Sequence, residues 1–138
     1  MKSFLYSLPC FIFLTSCGDK PVEKEPSTEQ LIGTWVCKKL PDGFTRREGI
    51  SANKELPKLI ISEDGSFVAT NFPGHVQDFT NTWSLSRPGI TPSGTWSIYA
   101  LGSHFQCLKS GDDIKLRYNL DATYGYVADF ERIHKPKK

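Results

Sequence analysis

The chain has 138 residues, with 17 Lys and Arg against 15 Asp and Glu, and the basic residues are scattered apart from the doublets Lys38-Lys39 and Arg46-Arg47. A net charge of +2 spread this way gives no electrostatic footprint for nucleic acid, which is excluded as a partner. The length suits one domain beyond a leader.

In chain order, the first feature is MKSFLYSLPCFIFLTSC, with Lys2 before an apolar run from Phe4 to Leu14 that only Ser7 interrupts. A membrane span needs about 20 apolar residues, so this shorter run reads as a secretory signal, residues 1–16, which is removed. Its end, Leu14-Thr15-Ser16-Cys17, resembles the bacterial lipobox: a Leu, two small residues and an obligatory Cys. The resemblance implies that Cys17 is acylated and becomes the membrane-anchored N-terminus; an ordinary signal peptide with an incidental cysteine is the alternative. Residue 18 is Gly and not the Asp that retains enterobacterial lipoproteins in the inner membrane, so by analogy the protein is sorted to the outer membrane of a bacterial envelope. No transmembrane helix is needed, because each buried acyl methylene contributes about 0.8 kcal/mol.

Residues 17–29 contain the anchor and GDKPVEKEPSTE, a charged, Pro-containing segment with Val22 as its one aliphatic residue, which reads as a flexible tether. Ser27 and Gln30 have capping-box spacing, and Gly33 follows so closely that at most one helical turn forms. From there to residue 134 the apolar period is two. Eight strands are predicted: 34–40, 59–62, 66–70, 82–85, 94–99, 103–108, 114–118 and 124–133. Gly65, Pro88-Gly89, Pro92 and Gly111 supply turns between them. Local connections and the absence of a convincing helix predict an all-β antiparallel meander closing into a barrel, which removes exposed edges. Asp42 to Leu56 is too long and polar for a hairpin and is expected to be a loop, in position to act as a lid. Residues 135–138 form a basic tail. Thr-Trp recurs at 34–35, 82–83 and 95–96, which strand propensity explains without a binding role.

Gly33-Thr34-Trp35 at the start of the first strand resembles the Gly-X-Trp motif of lipocalins and small lipocalin-like lipoproteins. That resemblance implies an eight-stranded barrel whose base Trp35 closes, with Arg132 near the last strand packing across the indole. A Thr-Asp-Tyr run and a later loop Arg, two further signatures of that family, are absent.

With Cys10 removed and Cys17 acylated, Cys37 and Cys107 remain as an even pair in an oxidising compartment, and a disulfide between them is expected. Two buried thiols or a metal pair are the rival readings, although two cysteines alone make a poor zinc site and His75, His104 and His134 lack ligand spacing. No nucleophile elbow or phosphate-binding Gly motif is present, and Asp112-Asp113 beside Gly111 suits a turn. The expectation is therefore a monomeric binding module with no cofactor and no catalytic residues. Its partner is a small apolar ligand or an envelope protein, with Phe44, Arg46 and Arg47 as an interface. An inhibitor or immunity-type lipoprotein that neutralises an envelope-targeting enzyme is the alternative, ahead of a hydrolase.

Overall fold

Among the described residues the period-two pattern builds nine strands in one antiparallel sheet. A computed structural model describes residues 19–52, 54–73, 79–91 and 94–134. The signal, Cys17, His75 and the basic tail lie outside the described residues. The strands are β1 (Gly33–Cys37), β2 (Lys58–Ile61), β3 (Ser66–Thr70), β4 (Phe79–Thr82), β5 (Ser84–Ser86), β6 (Ser97–Ala100), β7 (Ser103–Ser110), β8 (Asp113–Asp121) and β9 (Tyr126–Arg132). The order β4-β3-β2-β1-β9-β8-β7-β6-β5 is a meander whose first strand also pairs with its last.

One predicted strand, 82–85, is divided, which raises the count from eight to nine. The Asn81 side chain accepts the Thr82 N–H at 2.7 Å, diverting it locally. Trp83 then donates its backbone N–H to Gly65 O at 3.0 Å and its indole N–H to Ser62 O at 2.9 Å. The chain is thereby fastened over the β2–β3 turn, and its two halves join opposite edges of the sheet, β4 on β3 and β5 on β6. This corner brings the edges together into a nearly closed barrel, which leaves little unpaired strand exposed.

Alternate residues fill the inside. Trp35, Leu59, Phe67, Ile98, Phe105, Cys107, Leu116, Ala128 and Phe130 are each fully or almost fully buried. Phe105 sits among the rings of Tyr118, Phe67, Phe72 and Phe130, with centroids 4.9, 5.4, 6.3 and 6.3 Å away. Phe72 in turn stacks on Phe130 at 5.8 Å and 10°. A barrel of this size is just wide enough to be filled by its own side chains, and these rings fill it.

Two segments depart from expectation. Residues 42–48 form a helix, α2 (Asp42–Glu48), where a loop is predicted. Seven residues do not make a stable helix alone; Phe44, 6 % exposed, holds this one down. Asp42 in the first turn, Arg46 and Arg47 in the last, and Gly49 in the left-handed conformation (φ 65°) as its stop are ordinary helix signals. The tether also departs, because its described part lies against the barrel. Lys20 O accepts from Lys109 N at 2.8 Å, and Val22 N donates to Cys107 O at 3.2 Å. Pro21 bridges Leu108, which strand parity turns outward yet is only 4 % exposed. Pro26 is buried, and Ser27 and Gln30 form the expected capping box on the single turn α1 (Thr28–Leu31).

Candidate functional site

At the end where β1 begins, the three motif residues meet. Trp35 is fully buried and donates its indole N–H to Leu31 O at 2.9 Å, which ties α1 to the sheet. Arg132 is its cross-strand partner, and the guanidinium carbon lies 6.0 Å from the indole centroid. The same guanidinium donates to Glu29 O at 2.7 Å, satisfying a carbonyl in the single turn of α1. Gly33 has φ +134°, a region side chains rarely adopt, and a Cβ there would come within 3.3 Å of Arg132 Cδ. Glycine, indole and guanidinium thus form one plug. Together with the turn of α1 it covers this end of the barrel, where Leu31 and Trp35 are fully buried.

The opposite end, where β1 finishes and β2 starts, carries a cavity of about 270 Å3. Lys39 and Leu40 after β1, Thr45 of α2, Ile50, Leu56 and Asn71 after β3 line it. Asn71 is left-handed (φ 57°), which Asn tolerates better than most residues. Its amide donates to Glu55 Oε2 at 3.1 Å, pinning residues 54–56 to the end of β3. The mouth is therefore a built concavity with an apolar floor and charged rim. Lys38 pairs with Glu131 at 3.0 Å and Lys39 with Asp42 at 3.4 Å. Such exposed pairs contribute little to stability, which leaves both lysines able to exchange partners.

The structure separates the proposed interface trio. Phe44 points inward, its ring edge-on to Tyr126 at 5.9 Å, and offers no surface anchor. Arg47 lies over Tyr124, Tyr126 and Phe44 at 4.9, 5.5 and 5.7 Å and pairs with Asp121 at 2.7 Å, so it fastens α2 to the β8–β9 turn. Arg46 and Arg47 both remain exposed, but Arg47 is committed to its ring stack and ion pair. The Tyr124–Tyr126–Arg47 stack was not foreseen; two tyrosines two apart beside a turn were the available signal.

The expected Cys37–Cys107 disulfide is corrected: both residues are buried free thiols. The ladder Cys37–Phe130–Leu116–Cys107 places them in one row across four strands, three strand spacings apart. That is roughly 14 Å along the sheet, twice the reach of a disulfide of about 7 Å between Cα atoms. Burial pushes the Cys107 thiol up to about 12 and raises Cys37 as well, although the latter also donates to Lys39 O at 3.3 Å. Neither is activated for redox or metal chemistry, and no cluster of three or more metal-ligating side chains occurs among the described residues. Reductant should leave the urea midpoint unchanged, and a thiol reagent should modify both cysteines only as fast as the protein unfolds.

Outside the barrel, Arg117 of β8 grips Asp129 of β9 through two bonds of 2.7 and 2.8 Å. Asp19 completes the cluster, bonded to both Lys115 and Arg117. The Lys115 bond, with help from Arg117, outweighs desolvation and lowers the Asp19 pKa. Burial raises Asp129, but the Arg117 bond and charge overcome it and the net direction is again down. Folded values below the ordinary aspartate value of 3.8 mean stabilisation that is complete above it and lost as pH falls through the lowered values. The urea midpoint should hold steady from about pH 7 to about pH 5 and fall below about pH 4. Asp129→Asn should flatten that fall.

The fold and its two ends define a small, nearly closed antiparallel β-barrel with a plugged base and a concave mouth. No family model, curated protein or solved structure matches the chain, and no helix among the described residues is long and apolar enough to cross a membrane.

Proposed function

We propose that the protein is a lipid-anchored, lipocalin-like component of a bacterial envelope that works as a binding module through the mouth of its barrel. The anchor reading rests on the lipobox at Leu14–Cys17 and its Gly18 follower, and the lipocalin likeness on the Gly33–Trp35–Arg132 plug. One observation carries the choice of site. Stacked rings of Phe72, Phe105, Tyr118 and Phe130 occupy the interior, whereas the 270 Å3 concavity lies at the rim. A ligand enclosed in the barrel would have to displace those rings. A protein segment of an envelope partner, with an apolar side chain for Leu40 and Ile50 and acidic groups for Lys38 and Lys39, fits the mouth without repacking. Neutralising an envelope-targeting enzyme is one use of such a surface.

Native mass spectrometry of the exported, unacylated chain tests the choice. A mass with no small molecule, together with capture of an envelope protein that Ile50→Trp abolishes by filling the concavity, is the expected result. A mass excess that is lost on denaturation and insensitive to Ile50→Trp would move the site into the barrel.

A further inference from the structure

The anchor of a lipoprotein is ordinarily joined to its domain by slack chain, but here the slack is taken up. Asp19 is held by Lys115 and Arg117, and residues 20–22 run along the outer half of β7 through two backbone hydrogen bonds. Leu108 is covered beneath them. From Asp19 to Cys17 there are two residues, a reach of at most about 7 Å.

We infer that this latch presses one side of the barrel, around the start of β8 and the end of β7, against the anionic headgroups of the bilayer, so that the mouth points away from the membrane. The inference rests on the reading of Cys17 as the acylated residue. The docked segment leaves Lys20 and Lys109 exposed next to the latch, and Lys115 and Arg117 lie beneath it. Basic residues at a bilayer surface are attracted to anionic lipid, so Lys20 and Lys109, exposed beside the anchor, are the groups such a surface would attract. Within the cluster Asp19 and Asp129 neutralise Lys115 and Arg117, leaving Lys20 and Lys109 for lipid. Along β8 the mouth begins about 20 Å from Lys115, six residues at about 3.3 Å each. The latch would thereby set which end of the barrel a partner can reach.

The test uses the full acylated chain in phosphatidylethanolamine vesicles containing phosphatidylglycerol. Nitroxide labels are placed at Ser110→Cys, beside the latch, and at Ala122→Cys, in the exposed β8–β9 turn; the native Cys37 and Cys107 thiols are buried. The expected result is a label at 110 shielded several-fold from an aqueous nickel chelate, with the label at 122 open to it. Asp19→Arg, which repels Lys115 and Arg117, should open the 110 label while the protein stays on the vesicles and keeps its circular dichroism. Asp19→Asn should do so in part. A 110 label as open as the 122 label, or shielding that both variants leave intact, would overturn the orientation while the anchor stands. An intact mass without acyl chains would overturn the anchor reading, and the orientation with it.

Discussion

Trp35→Ala should lower stability by about 3–5 kcal/mol, a large part of the total for a domain of this size. The ring is fully buried, so its removal leaves a cavity at the base of the barrel and deletes the bond to Leu31 O. The loss continues outward, because the indole is also the surface on which Arg132 rests while it holds the carbonyl of Glu29. Without it, α1 loses its attachment to β1. A drop in the urea midpoint with an unchanged slope would report this loss of stability; a changed slope would mean a less compact state. Trp35→Phe retains most of the volume but orphans Leu31 O, so it should cost about 1–3 kcal/mol. Arg132→Met, alone and with Trp35→Ala, should be strongly non-additive, since each residue is the other's support.

The grouping of Gly33, Trp35 and Arg132 came from the resemblance to the Gly-X-Trp motif, since no local pattern joins Trp35 to its cross-strand partner Arg132. The strands were legible because their pattern is local, as Ile114, Leu116 and Tyr118 alternate with Lys115 and Arg117 on a period that one hairpin fixes. What could not be read depends on distant partners. Leu108 gives no hint that Pro21 will cover it, and residues 19–22 are too polar to predict their own docking. The Asp19 contacts, to Lys115 and Arg117, span 96 and 98 residues of chain. The disulfide failed through arithmetic of count and compartment, which says that two cysteines are available and not that three strand spacings separate them. Helix α2 was missed because its seven residues include one apolar anchor, Phe44, whose site on Tyr126 belongs to the last strand.

That same crossing sets the second large effect. Gly43→Ala should destabilise the protein by about 1–3 kcal/mol, although alanine is the better helix former by about 1 kcal/mol. A Cβ at Gly43 would clash with the Tyr126 hydroxyl oxygen and come within 3.0 Å of its Cζ. The ring has little freedom to retreat, since Tyr124 stacks on one part of it, Phe44 meets it edge-on and Arg47 lies above. The helix must lift instead, and Phe44 and the mouth wall at Thr45 move with it. Tyr126→Phe removes the closest atom and leaves only contacts of 3.0 and 3.1 Å, so in that background Gly43→Ala should be near neutral. Urea midpoints of the four proteins measure the coupling directly. A Gly43→Ala variant more stable than the wild type would mean that α2 rides clear of β9, and the mouth would then lack the rigid wall that the proposed partner capture requires.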